Sequence, residues 1–337
     1  MPFHPELFIR AEESFIYTST NQRFLDWTSG QVSTILGHGH LEVVKTISHY
    51  AERLSHIYSG MVSPPVVDLA TTLGLFLSTG SKANEAAIRI AKLVMGKFEI
   101  VGLGESWDGT TAASSGAQYH AAMKGYDPLV CGSHDWASCG SLAAMIMEPI
   151  LSSGGMHVLP DGYLRALRGH YDKRGMLLIV VEAQTGLERT GSMFAFEHEG
   201  VVPDNLTLSK TLGNGFPISA VVSSDKIAQT THINDPLAAA VGPKVLTIAL
   251  RDDLPQRASK SGLQLRQALE GIRAKNRSIG DIRGKGLLLG MEIVDGENNE
   301  PDLALGGLLE VTGLYPIGAH EREIPHTSST FRLVPPI

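Results

Sequence analysis

The chain has 337 residues, of which 43% are hydrophobic and 19% are charged, and its formal net charge is −7 at pH 7. A chain of this size and composition folds around one large core or into a large and a small domain. The mild acidic excess and the lack of a basic run exclude a nucleic-acid-binding surface, which requires clustered Lys and Arg. The expected partners are therefore small molecules.

The sequence gives no sign of a membrane or secretory protein. No stretch approaches the ~18 consecutive apolar residues of a membrane span, and the N-terminal segment MPFHPELFIRAEES lacks the apolar core of a signal peptide. Cys131 and Cys139 lack the second pair that a zinc site needs, so we expect two free thiols. The expected location is cytoplasmic.

The N-terminal region predicts two short strands and a helix. The strands lie within residues 8–27 and are joined by a polar turn at 19–22. Residues 41–57 have the i, i+3, i+4 apolar spacing of an amphipathic helix. The segment TSGQVS, residues 28–33, lies between them, and its Gln31 is by itself interpreted as a solvated loop amide.

The next pattern is a strand at 75–78 that leads through Thr79, Gly80 and Ser81 into a helix. Small residues at a helix N-terminus leave backbone N–H groups accessible to an anion such as a phosphate. Ordinary capping of the helix is the alternative.

A further strand at 100–103 leads to Trp107, and a buried strand in AAMIMEPILSSGG leads to Glu148 and Ser153. An aromatic ring at the end of a strand can stack on a flat heteroaromatic ligand, with core packing as the alternative. For Ser153 the alternative is a loop serine that caps the helix predicted at 161–171.

Residues 176–181 form an apolar run that is rich in β-branched residues and too short for a buried helix, which predicts a buried strand of a parallel sheet. Glu182, Ala183 and Gln184 follow it directly. They lie where strands of an open α/β sheet end and where ligands bind in such folds.

Lys210 is the candidate nucleophile. A strand at 206–208 leads to it, and the glycine-rich GNGFP follows. A lysine held in such a place is partly desolvated, which lowers its pKa and frees its amine for attack on a carbonyl. A solvated loop lysine is the alternative.

Helices are predicted through Leu250 and over 263–273, and DIRGKGLLLGMEIV predicts strands of a small domain. The chain ends in FRLVPPI, which contains Arg332. Guanidinium geometry suits that residue to hold a carboxylate in a bidentate pair.

The stretches EAQTG, RTG and SKTLGNGFP resemble the core of the class III (fold type I) pyridoxal-phosphate aminotransferases, most closely the 2,2-dialkylglycine decarboxylases among them. The resemblance covers nearly the whole chain, with several separate stretches in the right order. It implies an α/β fold with a large cofactor-binding domain at 35–235, whose mostly parallel sheet is flanked by helices. Residues 1–34 and 236–337 would form a smaller α+β domain.

The resemblance also implies a cofactor site. Lys210 would carry pyridoxal phosphate covalently, and Gln184 would donate to its phenolic oxygen. Trp107 would stack on its ring. Its phosphate would lie at Thr79, Gly80 and Ser81, and Thr231 would bind the phosphate of the partner subunit's cofactor, which implies a homodimer.

The implied substrates are an amino acid and a keto acid. Gln31 would contact the carboxylate that is lost in a decarboxylation, and Arg332 would hold a carboxylate for transamination, with Trp107 and Ser153 also at the substrate. Five residues would supply oxygen ligands to an alkali ion, K⁺ or Na⁺. They are Ile57, Ser59, Thr231, Ile233 and Asp235.

The sequence departs from the family at the strand itself. Val181 stands where the family has the aspartate that pairs with the protonated pyridine nitrogen, and Glu182 faces the other side of the strand. Segments within 119–143, before Thr231 and after Pro336 are shorter than in the family. These departures leave two alternatives open: a catalytically impaired relative, and an incomplete translation with a truncated C-terminal end.

Overall fold

The computed structural model describes residues 6–58, 61–73, 75–117, 140–224, 236–311 and 329–337. A six-stranded sheet lies at its centre, in the order β4-β11-β10-β9-β6-β5. Its strands are β4 Leu75–Leu77, β5 Glu99–Gly102, β6 Leu142–Met147, β9 Leu177–Val181, β10 Asn205–Leu208 and β11 Ser219–Ser223.

Only β11 runs against the other strands of this sheet. It pairs antiparallel with both β10 and β4, whereas β10, β9, β6 and β5 pair in parallel. The carboxyl ends of β4, β5, β6, β9 and β10 therefore lie at one edge, which is where open α/β sheets bind ligands. The prediction of a parallel strand at 176–181 is confirmed.

Both faces of the sheet are buried, which explains the continuous apolar runs. On one face Ile146, Ile179 and Val181 pack with Ala87 and Ile88 of the helix Gly80–Met95. On the other face Met147, Leu178 and Val180 pack with Leu164 and Tyr171. Full burial of a Val or Leu side chain stabilises the fold by about 1.5–3 kcal/mol, so these alternating faces hold the layers together.

Helices cover the sheet and its surroundings, as predicted for an α/β fold. They are Leu41–Ala51, Pro64–Leu73, Gly80–Met95, Ala112–Gly116, Tyr163–Arg174, Pro236–Arg251, Leu254–Arg273 and Leu303–Val311. Short 3-10 helices span Ala195–Glu199 and Lys210–Gly213. Ser29–Val32 is an irregular turn rather than a regular helix, because Gly30 and Gln31 have positive φ angles.

The N-terminal prediction needs two corrections. Residues 8–27 form three strands, β1 Phe8–Glu12, β2 Phe15–Thr18 and β3 Arg23–Leu25, where we predicted two. Glu13, with a φ of 51°, makes the additional turn. The helix that starts at Leu41 ends at Ala51 rather than at residue 57.

The C-terminal residues form a three-stranded antiparallel sheet in the order β12-β13-β14. Its strands are β12 Ile279–Lys285, β13 Leu288–Ile293 and β14 Ser329–Leu333, and a two-stranded ribbon pairs β7 Ile150–Leu151 with β8 His157–Val158. The helix Pro236–Arg251 packs with Leu69, Leu212 and Ile218 in one core cluster. The domain boundary at residue 235 stays a prediction. None of the helices in the described ranges is long and apolar enough to cross a membrane.

Candidate functional site

A cavity of about 320 Å³ opens at the carboxyl edge of the central sheet. Its walls come from the ends of β4 and β10, from the loop after β5, and from the glycine-rich loop before β11. Its lining residues are Ser33, Ser78, Thr79, Gly80, Ser81, Asn84, Trp107, Asp108, Gly109, Ala183, Ser209, Lys210, Gly215, Phe216, Pro217 and Ile218.

One end of the cavity is the N-terminus of the helix Gly80–Met95. Thr79 caps this helix, and its Oγ1 accepts a 3.4 Å hydrogen bond from the backbone N–H of Lys82. A Cβ on Gly80 would lie 2.7 Å from Ser209 Oγ, so only glycine allows this close approach. Backbone N–H groups and hydroxyls at a positive helix end make a site for a phosphate.

Lys210 enters the cavity from the end of β10. Its backbone lies in the left-handed region, with a φ of 44°, a conformation that non-glycine residues adopt only when the surrounding structure imposes it. Burial, opposed by the charge of Glu148 and aided by the positive charge of Arg332, lowers the pKa of its amine to about 8. The amine is therefore partly deprotonated near neutral pH and able to attack a carbonyl.

Trp107 forms an aromatic wall and is held from behind by a buried carboxyl group. Glu148 Oε1 accepts a 2.6 Å hydrogen bond from the backbone N–H of Trp107. Burial raises the pKa of Glu148 to about 7, although that hydrogen bond, Lys210 and Arg332 all favour its ionised form. Sequence analysis gave no role to Glu148, even though an acid directly after an apolar strand is the signal that marks it.

Asp108 also lines the cavity and is fully buried. Its Oδ1 accepts a 3.1 Å hydrogen bond from Ser106, and no described residue bonds to its Oδ2. Burial raises the pKa of Asp108 to about 8, the charge of Glu148 adds to that rise, and the Ser106 hydrogen bond opposes it. Asp108 was not among the predicted site residues.

Asn84 links Asp108 to the sheet. Its Nδ2 donates to the backbone oxygen of Asp108 at 2.7 Å, and its Oδ1 accepts from Thr207 Oγ1 at 2.6 Å. Thr207 pairs with Val181 in the parallel register of β10 and β9. Asn84 was not among the predicted site residues, because a polar residue inside an amphipathic helix carries no functional signal by itself.

Val181 is buried in the apolar cluster beneath the cavity, together with Ala183. The neighbouring Glu182 is engaged elsewhere, because its carboxylate accepts from the Thr185 hydroxyl and, at 3.0 Å, from the backbone N–H of Phe196. Glu182 therefore does not supply the carboxylate that position 181 lacks, as its strand position predicted.

A hydrogen-bonded group surrounds Gln184. Its Oε1 accepts from Ser152 Oγ at 2.9 Å and from Arg332 Nη1 at 3.2 Å, and its Nε2 donates to Ser153 Oγ at 3.2 Å. Arg332 is 5% exposed, and its Nε has no partner among the described residues. The structure thus brings three predicted residues, Gln184, Ser153 and Arg332, into one network.

Gln31 is exposed and does not line the cavity, whereas Ser33 of the same segment does. Asp26 holds this segment, since it accepts 2.7 Å hydrogen bonds from the Gly30 backbone N–H and from His38 Nε2. Burial alone would raise the pKa of Asp26, but hydrogen bonds from His38, Thr28 and Gly30 outweigh it and lower that pKa.

Four predicted ligands of an alkali ion lie outside the described residues. They are Ser59, Thr231, Ile233 and Asp235. Ile57 is described and half-buried. The ion site and the contact of Thr231 with the partner subunit's cofactor stay predictions.

The chain is similar to known aminotransferases over most of its length. The family model for class-III aminotransferases matches residues 3–130 and 136–336. An uncharacterized aminotransferase of Schizosaccharomyces pombe is 43% identical over 343 residues, which cover 86% of this chain and 77% of that protein. An acetylornithine aminotransferase of Caldanaerobacter subterraneus is 32% identical over 325 residues, with coverage of 86% and 82%.

A solved structure confirms the fold. The taurine:2-oxoglutarate aminotransferase of Bifidobacterium kashiwanohense, determined in complex with PLP and glutamate, aligns with a TM-score of 0.87 and 22% identity. The alignment covers 100% of this chain and 90% of that one. The predicted α/β architecture of fold type I is confirmed.

Proposed function

The chain belongs to the class-III aminotransferase family, and from that premise we propose that it is a pyridoxal-phosphate enzyme that moves an amino group from an amino acid to a keto acid. The observation that carries this proposal is Lys210, a buried lysine whose pKa is lowered to about 8 inside a cavity of cofactor size. Such a lysine is the group that bonds to the aldehyde of this cofactor.

The cavity fits pyridoxal phosphate at each end. Thr79, Gly80 and Ser81 offer an anion site at a helix N-terminus, and the indole of Trp107 and the small apolar Ala183 line the same cavity, where a ring can pack. Lys210 lies in the same cavity, where an aldehyde would meet it. When bound, pyridoxal phosphate supplies the electron sink for the bond that is broken at the substrate carbon.

The side chains around the cavity then decide how the substrate lies and where its proton goes. Arg332 is charged and nearly fully buried, and its Nε has no partner in the part of the chain that the structure describes, so it holds a substrate carboxylate with Gln184 and Ser153 beside it. Lys210 removes the proton from the substrate carbon and later returns it, because its amine titrates near the operating pH.

A second candidate is the decarboxylation of a dialkyl amino acid coupled to transamination of a keto acid. It is favoured by the segment that Asp26 holds, since Gly30 and Gln31 have positive φ angles there. Ser33 of the same segment lines the cavity, and a carboxylate is the ligand that we propose for the neighbouring Gln31. The proposed assembly is a homodimer that also binds K⁺ or Na⁺.

The experiment combines chemical labelling with amino-acceptor assays. The protein is purified with pyridoxal phosphate, reduced with borohydride and mapped by peptide mass, and we expect the adduct on Lys210. Pyruvate and 2-oxoglutarate are then tested as acceptors with alanine, acetylornithine and 2-aminoisobutyrate as donors. Carbon dioxide release from 2-aminoisobutyrate supports the second candidate.

The matched control is Lys210→Arg, which keeps the positive charge but has no nucleophilic amine. A well-folded wild-type protein without an adduct would overturn the proposed function. An adduct without any amino transfer would instead favour the impaired relative that Val181 led us to consider.

A further inference from the structure

One carboxyl group in the lining of the cavity, that of Asp108, has no role in the proposed function described above. Asp108 is the only acidic residue among the described residues that line the cavity. It is fully buried, and its Oδ2 has no hydrogen-bond partner among them. Buried polar atoms are almost always paired, so an unpaired one in a cavity marks a contact that a ligand completes.

The backbone of Asp108 is held beside the helix Gly80–Met95, whose N-terminus forms the anion site. Asn84 holds the Asp108 backbone oxygen at 2.7 Å. Asn84 lies one helical turn beyond Gly80, about 6 Å further along the helix axis. The backbone of Asp108 is thus held about one helical turn from the anion site, its side chain is fully buried, and Trp107 directly precedes it in the chain.

The same contacts connect Asp108 to Val181. Asn84 Oδ1 accepts a 2.6 Å hydrogen bond from the hydroxyl of Thr207, and Thr207 is the sheet partner of Val181. The side chain of Val181 has no polar atom, and the carboxylate of Glu182 accepts hydrogen bonds from Thr185 and from the backbone N–H of Phe196. Among the described residues that line the cavity, Asp108 supplies the one carboxyl oxygen without a hydrogen-bond partner.

Resting on the proposed function, we propose that Asp108 pairs with the ring nitrogen of bound pyridoxal phosphate and so supplies the carboxylate that Val181 cannot. A pyridine nitrogen is a base, and a buried acid beside it keeps it protonated and the ring electron-poor. The carbon that carries the phosphate arm and the nitrogen are on the same side of the ring, which matches an anion site and an acid that line one cavity.

The proton needed for this pair is already in the protein. Burial raises the pKa of Asp108 to about 8, so its carboxyl group is protonated at neutral pH before the cofactor binds. Asp108 gives that proton to the ring nitrogen, and its Oδ2 then accepts a hydrogen bond from the resulting N–H group. The number of protons in the site is unchanged, and the buried carboxylate gains a cationic partner.

The test uses the holoenzyme prepared with ¹⁵N-labelled pyridoxal phosphate. We expect the wild-type ring nitrogen to show the ¹⁵N chemical shift of a protonated pyridine, and Asp108→Asn to move it to that of a neutral one. We also expect Asp108→Asn to weaken cofactor binding roughly 10- to 100-fold, the effect of one charge-assisted hydrogen bond. Glu182→Gln, which removes a neighbouring buried acid, should change neither measurement.

A double variant distinguishes loss of the Asp108 contact from misfolding of the site. Adding Val181→Asp to Asp108→Asn should restore the protonated shift and much of the affinity, which a misfolded site would not allow. A neutral nitrogen in the wild type, or a protonated one in Asp108→Asn, would overturn this proposal while the Lys210 adduct remained. Loss of the Lys210 adduct in wild-type protein would overturn the proposed function and this proposal together.

Discussion

Glu148 and Trp107 lie 41 positions apart in the chain, and the backbone N–H of Trp107 donates a 2.6 Å hydrogen bond to Glu148 Oε1. This bond fixes the aromatic wall of the cavity to the end of β6. Glu148 also raises the pKa of Lys210 electrostatically, so one buried acid is coupled both to Trp107 and to the proposed nucleophile.

We expect Glu148→Gln and Glu148→Ala to separate these two effects. Both remove the negative charge that favours the ammonium form of Lys210, so both lower the pH midpoint of cofactor capture. Glutamine retains an oxygen that accepts from the Trp107 N–H, whereas alanine does not. Only Glu148→Ala should therefore also alter the tryptophan fluorescence of the holoenzyme, and an unchanged midpoint in both variants would contradict the electrostatic coupling.

The rate at which the apoprotein captures pyridoxal phosphate should rise with pH and level off above a midpoint near 8. The neutral amine is the nucleophile, and burial lowers the pKa of Lys210 to about 8, so the reactive form accumulates as pH rises through that value. Stopped-flow absorbance measures the rate. A lysine with the usual pKa of about 10.4 would instead show a rate still rising beyond pH 10.

Gly80→Ala should damage the phosphate site specifically. The new Cβ would meet Ser209 Oγ at 2.7 Å, so the hydroxyl or the helix N-terminus must shift. We expect binding of pyridoxal phosphate to weaken about 10-fold, equivalent to about 1.4 kcal/mol, and binding of pyridoxal, which lacks the phosphate, to change less.

Gly271→Ala is the matched control for that substitution. Gly271 lies in the helix Leu254–Arg273, and nothing lies within 4 Å of its added Cβ. There we expect unchanged cofactor binding and a gain in stability of about 0.5–1 kcal/mol in thermal unfolding, because alanine favours helices. Equal losses for pyridoxal and its phosphate in Gly80→Ala would argue against an anion site.

Arg332→Lys should raise KM for donors that carry a carboxylate by roughly 10- to 100-fold, the usual effect of a lost charged hydrogen bond. Lysine keeps the charge but lacks the planar fork that binds a carboxylate through two parallel bonds. A simple amine donor without a carboxylate is the internal control, and its kinetics should stay nearly constant. A parallel loss for both donors would mean that the substitution disturbs Gln184 instead.

The proposed homodimer can be tested at an exposed apolar segment. Tyr58, Met61 and Val62 are 73%, 59% and 73% exposed, and clustered apolar side chains of this kind occur at subunit interfaces. Val62→Asp should weaken self-association at least ~10-fold in analytical ultracentrifugation, because a charge in an apolar interface is costly. Val202→Asp, at a site 78% exposed in another loop, should leave association unchanged.

The order of elements was predictable because each one carries a local signal. An apolar run rich in β-branched residues marked β9, and the small residues at 79–81 marked the start of the helix Gly80–Met95. The extra turn at Glu13 was missed because a positive φ on a non-glycine residue leaves no trace in the pattern. The end of the helix at Ala51 was missed because apolar residues continue beyond it as far as Ile57.

The sequence by itself determined the family, and it singled out Lys210 as the proposed nucleophile and Val181 as the position where the resemblance implies an acid, since these depend on residue types and their order along the chain. Only the tertiary structure decided which buried groups surround that site. Asp108, Asn84 and Thr207 are joined by hydrogen bonds that span 24 and 123 positions of the chain. Local sequence patterns do not predict such contacts. These hydrogen bonds form only when packing of the helix Gly80–Met95 on the sheet brings distant polar atoms together away from water.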